Sequence, residues 1–334
     1  MNRVLIIAEA GVNHDGVLAD AHALVEAAAN AGADVVKFQT FRAERLVTAT
    51  ARKAAYQVRT TGSDDAQLAM LRALELSPEA HHALAAHAAT RGIAFLSTAF
   101  DSESLDFLVT LQPSAVKVPS GELTNLPYLR HVARLGLPVM LSTGMATLGE
   151  VEAAIDALER GGCAREGITV LHCTTEYPAP MDEVNLRAMP AMRTAFGVRV
   201  GYSDHTVGSE IPVAAVALGA TVIEKHLTLD RTRRGPDHAA SLEPQEFAQM
   251  VRAIRNVERA LGDGIKRPTA SECGNRAVAR RSIVAAHPIT AGETLGAHNL
   301  AVKRPGTGLS PMLWDVVVGR VAPRDFAADE AVVP

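Results

Sequence analysis

Cysteine is scarce: Cys163, Cys173 and Cys273 are all that 334 residues contain. An odd, sparse set supplies no disulfide framework, and no CxxC spacing suggests a structural zinc site. There is one tryptophan, and basic residues do not outnumber acidic ones. A net charge of −4 argues against a nucleic-acid binder, although a small anionic ligand needs only a local basic patch. No apolar run reaches the ~18 residues of a membrane helix. The first strand-like run, Val4 to Ala8, lacks the h-region and cleavage site of a signal peptide. The expectation is a soluble, cytoplasmic protein. With 48% hydrophobic residues it can bury a large core, and it is slightly too long for one ordinary domain.

Short apolar runs alternate with longer helical patterns. Strands are predicted at 3–10, 34–40, 93–98, 115–119, 138–142, 168–173, 198–202 and 221–225. Ala-rich segments separate most of them. In Asp20 to Ala31, for example, Ala21, Leu24, Val25 and Ala28 share one helical face and Gly32 is a C-cap. Eight β/α repeats fit a (β/α)₈ TIM barrel over residues 1–261. A doubly wound sheet is the alternative, but no GxGxxG follows the first strand. Beyond Leu261 the pattern breaks. Residues 262–280 read as a linker, and 281–334 as a small, mostly β domain with too small a core to be very stable alone.

In such a barrel chemistry collects at the C-terminal ends of the strands, and these ends turn abruptly polar. Glu9 interrupts the first apolar run, as an ion-paired carboxylate or as a general acid/base. Lys37 sits among valines, which is costly unless it meets a polar pocket. Lys117, Ser120 and Gly121, then Ser142, Thr143 and Gly144, offer charge, hydroxyls and close backbone approach to an anion. Cys173 reads as a buried structural thiol, and His14 as structural. His205 and His226 end consecutive strands, beside Asp204 and Glu224. Two imidazoles so placed could share a metal ion with open positions for a substrate. Asp237, in the loop after the last strand, could orient a water or a substrate hydroxyl.

The ordered motifs AEAGVNHDG, KFQTF, KVPSGE, LSTGM, HCTTEYPAP, GYSDHT, IEKH, GPDH and KRPGTG resemble those of the sialic acid synthases, over nearly the whole chain. The 281–334 segment is similar to their antifreeze-like (SAF) domain. The resemblance implies a metal-dependent transferase that condenses phosphoenolpyruvate with an N-acylated mannosamine-type sugar, releasing phosphate. It implies His205 and His226 as metal ligands, with Mn²⁺ as the ion and Mg²⁺ or Co²⁺ as alternatives. Lys37, Lys117, Ser120, Ser142, Thr175, Tyr177 and Ser203 then surround phosphoenolpyruvate; Thr175 stands where some members carry Asn. Glu122 contacts the sugar, and Glu9 and Asp237 lie at the reacting centre. Arg304 would reach the sugar's N-acyl group from the partner of a homodimer with exchanged SAF domains. The stretch Thr174 to Pro178 is more similar to the synthases of N,N′-diacetyllegionaminic acid than to those of N-acetylneuraminic acid. Two readings of other classes stand beside this one: a Schiff-base aldolase using Lys37 or Lys117, and a non-catalytic sugar-binding protein.

Overall fold

The computed structural model describes residues 3–62 and 66–333. The chain forms two compact units, Met1–Gly262 and Asp263–Pro334.

The first unit is a barrel of eight parallel strands: β1 (Leu5–Gly11), β2 (Val35–Thr40), β3 (Ala94–Ala99), β4 (Val116–Val118), β5 (Val139–Ser142), β6 (Ile168–His172), β7 (Arg199–Asp204) and β8 (Val222–His226). They are hydrogen-bonded in the order β3-β2-β1-β8-β7-β6-β5-β4, and β3 and β4 lie side by side where the ring closes. Each predicted strand is present to within a few residues. The helix Leu18–Ala31 buries Ala21, Leu24, Val25 and Ala28, and Gly32 closes it in the left-handed region at φ 83°. Asp20 falls in its first turn, so the helix starts two residues before the predicted boundary.

Alternation along the strands builds the interior in layers. Ile7, Val35, Leu96, Met140, Leu171 and Val222 form one apolar layer inside the barrel. Gly201 occupies the β7 position of that layer, because a Cβ there would meet the Val222 carbonyl oxygen at 2.5 Å and Leu171 Cδ2 at 2.6 Å. The residues two further along each strand form the next layer, described below. Outside the strands, Leu24, Leu84, Leu129, Val132, Ile155, Phe247 and Ile254 belong to the large core between strands and helices. One connection is enlarged. Between β2 and β3 the short helices Ala43–Leu46, Ala55–Thr61 and Gln67–Leu74 precede the barrel helix Pro78–Thr90.

The second unit pairs β9 (Ser282–Ala285) antiparallel with β10 (Leu300–Lys303). Its separate core holds Ile283, Ile289, Leu295, Leu300, Val317, Phe326 and Val332. The 262–280 segment, read as a linker, carries a helix, Ala270–Ala279. Thr269 and Glu272 form a reciprocal capping box at its start, a Thr-x-x-Glu signal strong enough to nucleate a helix in a polar stretch.

His14, in the turn after β1, is fully buried. Burial pushes its pKa down to about 4, from an ordinary 6.5. Between those values the unfolded chain binds a proton that the folded chain refuses, so stability present above pH 6.5 is lost as pH falls toward 4. The contribution is on the order of 3 kcal/mol. Urea-unfolding midpoints at pH 4.5 and 7 are expected to differ less in His14→Gln than in the parent; equal differences would contradict this assignment.

Candidate active site at the barrel mouth

The layer above the apolar one is polar on every strand. Glu9, Lys37, Thr98, Lys117, Ser142, Cys173, Ser203 and Glu224 all line one cleft of about 350 Å³ at the C-terminal ends of the strands. The spacing is the same throughout: Ile7 to Glu9, Val35 to Lys37, Leu96 to Thr98, Met140 to Ser142, Leu171 to Cys173 and Val222 to Glu224 are each two residues apart. One further step along β7 and β8 gives His205 and His226.

Four charges are buried in this layer and cancel. Lys37 Nζ lies 2.7 Å from Glu9 Oε2 and 3.7 Å from Glu224 Oε2, and donates to Thr98 Oγ1 at 2.8 Å. Lys117 Nζ donates to Glu224 Oε1 at 3.2 Å, and Ser203 Oγ donates to the same oxygen at 3.0 Å. Burial alone would neutralise Glu224, but Lys117 and Lys37 outweigh it and hold the carboxyl at about 2. Burial would also strip Lys37 of its proton, yet Glu224 and Glu9 raise its pKa above the ordinary lysine value. Glu9 moves the other way: burial exceeds the pull of Lys37 and raises its pKa.

The imidazoles are neutral. Burial lowers His205 to about 4, and burial with the neighbouring His205 lowers His226 well below its ordinary value. Their ring centroids are 5.4 Å apart. His205 Nδ1 lies 2.6 Å from the Thr174 carbonyl oxygen, which fixes that nitrogen as the donor and leaves Nε2 its lone pair. His226 Nδ1 is buried without a hydrogen-bond partner, 3.7 Å from Asp237 Oδ2. Burial and the Glu9 charge raise Asp237 to about 7. Tyr177 stacks on His205 with centroids 4.1 Å apart.

Behind the imidazoles, Asp204 and Lys225 are fully buried and 2.6 Å apart. They are register partners on β7 and β8, so this ion pair sets the spacing of the strand ends that carry His205 and His226.

Every residue predicted for the site lines this cleft except Thr143, Gly144 and Arg304. Arg304 lies on the second unit, directly after β10, and is exposed. Glu122 follows β4 on a short helical turn, Ser120–Glu122, and accepts from Asn125 Nδ2 at 2.5 Å. His14 and the Cys163 thiol are elsewhere, whereas Cys173 is in the lining, with Sγ 3.3 Å from Ser120 Oγ. Glu224, noted beside the histidine pair, is the hub of the buried charges. Gln39, Tyr56 and Thr98 were not singled out; Thr98 was legible from the two-residue spacing, Tyr56 from nothing local.

Among the described residues no three His, Cys, Asp or Glu side chains are grouped as a metal cage. What the cleft does offer is a pair of neutral imidazoles, and polar atoms with no hydrogen-bond partner among the described residues. Ser142 Oγ and Thr175 Oγ1 are buried and unsatisfied, as is His226 Nδ1. Buried hydroxyls without partners are costly, and here they line the same cleft as two lysines, as an anion site requires.

Compared with known proteins, the chain matches the NeuB family over residues 24–266 and the SAF domain over residues 280–334. It therefore belongs to the NeuB family. It is 52% identical over 332 residues to the N,N′-diacetyllegionaminic acid synthase of Campylobacter jejuni, covering 99% of each chain. It is 47% identical over 316 residues to the N,N′-diacetyllegionaminic acid synthase of Legionella pneumophila, covering 94% of this chain and 89% of that one. Among solved structures, the N-acetylneuraminic acid (sialic acid) synthetase of Leptospira borgpetersenii, in complex with citrate, is similar with a TM-score of 0.73 and 33% identity. That match covers 82% of this chain and 90% of the other.

Gly144 tests the anion site. A Cβ there would meet Thr175 Oγ1 at 2.0 Å and Ser120 Oγ at 2.8 Å. Thr175 Oγ1 must rotate away, and Ser120, whose Cβ would lie at 3.2 Å and whose Oγ accepts from the Gly144 N–H at 3.0 Å, must shift, so Gly144→Ala should displace both hydroxyls from the cleft. Calorimetric binding of phosphoenolpyruvate is expected to weaken about tenfold to a hundredfold, with a cooperative thermal transition retained; undiminished binding would contradict the assignment.

Proposed function

We propose that this cleft condenses phosphoenolpyruvate with an N-acylated mannosamine-type sugar and releases phosphate. The acceptor is 2,4-diacetamido-2,4,6-trideoxymannose, and the product N,N′-diacetyllegionaminate. The observation that carries the reaction is Lys37 and Lys117, joined through Glu224, in one cleft with hydroxyls that have no partner among the described residues and with two neutral imidazoles. The choice of sugar rests on the relatives at 52% and 47% identity. N-acetylneuraminate synthesis from N-acetylmannosamine is the alternative within the same chemistry.

Lys37 and Lys117 would bind the carboxylate and phosphate, with Ser120, Ser142, Thr175, Tyr177 and Ser203 completing the cradle. His205 and His226 suit a divalent cation, since burial keeps both rings neutral and His205 Nε2 is left with its lone pair. Manganese is the assignment, with magnesium or cobalt as alternatives. Such a cation, when bound, would polarise the acceptor's aldehyde oxygen. C3 of phosphoenolpyruvate forms the new bond to the aldehyde carbon. Water adds at C2, and the C2 to phosphate-oxygen bond then breaks. Asp237, poised at about 7, can accept or return a proton beside His226. Glu9 holds Lys37 in place and is assigned to the proton of the attacking water. Glu122 contacts the sugar. Arg304 would reach the N-acyl group from the partner in a homodimer with exchanged SAF domains.

A Schiff-base mechanism needs an unprotonated lysine, and the raised pKa of Lys37 works against that. The three cysteines are unpaired, as a reducing cytoplasm allows, and no described helix is long and apolar enough to cross a membrane.

Phosphate release from phosphoenolpyruvate and Mn²⁺ is the assay, with each sugar, with and without EDTA. Release with the diacetamido sugar, abolished by EDTA, is expected. Release only with N-acetylmannosamine would replace the sugar assignment, and release with neither would contradict the function.

A further inference from the structure

The cleft is not uniform around its rim. Following the strand order, the ends of β4, β5 and β6 carry hydroxyls and a tight glycine: Ser120, Ser142, Gly144 and Thr175. β7 and β8 carry the two imidazoles. Around β1, β2 and β3 the character changes. There Val12, Phe41, Leu71 and Leu74 form a separate hydrophobic cluster, with Leu46, Val47, Met70 and Phe100 packed against it. Most of these side chains also line the cleft.

This apolar arc is largely built by the enlarged β2–β3 connection, and the connection is anchored on the far side of the mouth. Arg59 Nη2 pairs with Glu176 Oε1 at 2.7 Å. Tyr56 packs on Tyr177 with ring centroids 5.0 Å apart, and Tyr177 in turn stacks on His205 at 4.1 Å. The inserted helices therefore reach the reacting centre and run from it along the β1–β3 side. The imidazoles stand at the boundary between a hydroxyl arc and an apolar arc.

We propose that the apolar arc is the seat of the acceptor's deoxygenated end, and that Val47 and Met70 determine specificity for a 6-deoxy sugar. The proposal rests on the condensation reading above. With the aldehyde carbon at the imidazoles, the anion between Lys37, Lys117 and the β4–β6 hydroxyls, and Glu122 on the sugar from the end of β4, the apolar arc just past the ends of β1–β3 is what remains for the sugar's far end. A methyl group at C6 gains by leaving water against Leu46, Val47, Met70 and Leu71. A hydroxymethyl group in the same place would bury a hydroxyl against carbon. Of the amides on this wall, the Gln57 oxygen already accepts from Gln67 Nε2 at 3.3 Å and from the Ala54 backbone N–H at 2.9 Å, and Gln39 Nε2 donates to Glu9 Oε1 at 3.2 Å. A site of this kind discriminates by roughly tenfold to a hundredfold.

The test compares kcat/KM for 2,4-diacetamido-2,4,6-trideoxymannose with that for its 6-hydroxy counterpart. It uses the full-length chain and the near-isosteric variants Val47→Thr and Met70→Gln, both at half-buried positions. The parent is expected to prefer the 6-deoxy sugar at least tenfold. Each variant should shrink that ratio severalfold while KM for phosphoenolpyruvate stays the same, which also shows that the variants fold. Equal turnover of both sugars, or a ratio that neither substitution changes, would overturn the specificity assignment and leave the condensation intact. Failure of both sugars to release phosphate in the parent would overturn both.

Discussion

Four buried charges at the mouth of the barrel set the terms for everything around them. Two lysines and two glutamates, each almost fully shielded from water, would be prohibitive singly. Together they cancel, and Glu224 joins the two lysines through its two oxygens. The two ammonium groups are thereby held in place before any ligand arrives, so binding an anion costs little rearrangement. The same arrangement raises the pKa of Lys37 despite its burial, and so suits it to holding an anion better than to forming a covalent adduct.

The remaining architecture serves this layer. Beneath it, Ile7, Val35, Leu96, Met140, Leu171 and Val222 close the barrel to water. Behind it, the Asp204–Lys225 pair ties β7 to β8. Along a strand the polar residues alternate between these tasks: Glu224 and His226 face the cleft, and Lys225 between them faces the packed shell. The apolar arc on one side and the hydroxyl arc on the other make the cleft a two-ended container. Such a container suits joining an anion to a largely carbon-faced partner, and asymmetry of this kind is hard to reconcile with a passive barrel.

The strands and most of the cleft were legible because burial makes polar residues conspicuous. A lysine between valines, or a glutamate ending an apolar run, is too costly to be incidental. Glu224 lay in plain view, but its place between Lys37 and Lys117 was not, since Lys117 is 107 positions away and only the closure of the barrel joins them. The helix Ala270–Ala279 announced itself by its capping box and was obscured by the polar, Gly- and Pro-containing residues just before it. The wall made by Leu46, Val47 and Met70 could not be read at all: short amphipathic helices look alike wherever they pack, and only their docking through Arg59 and Tyr56 shows that they border the cleft.

The central claim is that a pre-formed, charge-compensated lysine pair binds the anionic substrate. Titrating phosphoenolpyruvate into the parent and into Lys117→Met by calorimetry, at low and high salt, tests it most directly. At least tenfold weaker binding is expected in the variant, a loss on the order of 1.4 kcal/mol or more. Salt should weaken the variant's binding less than the parent's. Equal affinity and equal salt dependence in the two proteins would contradict it.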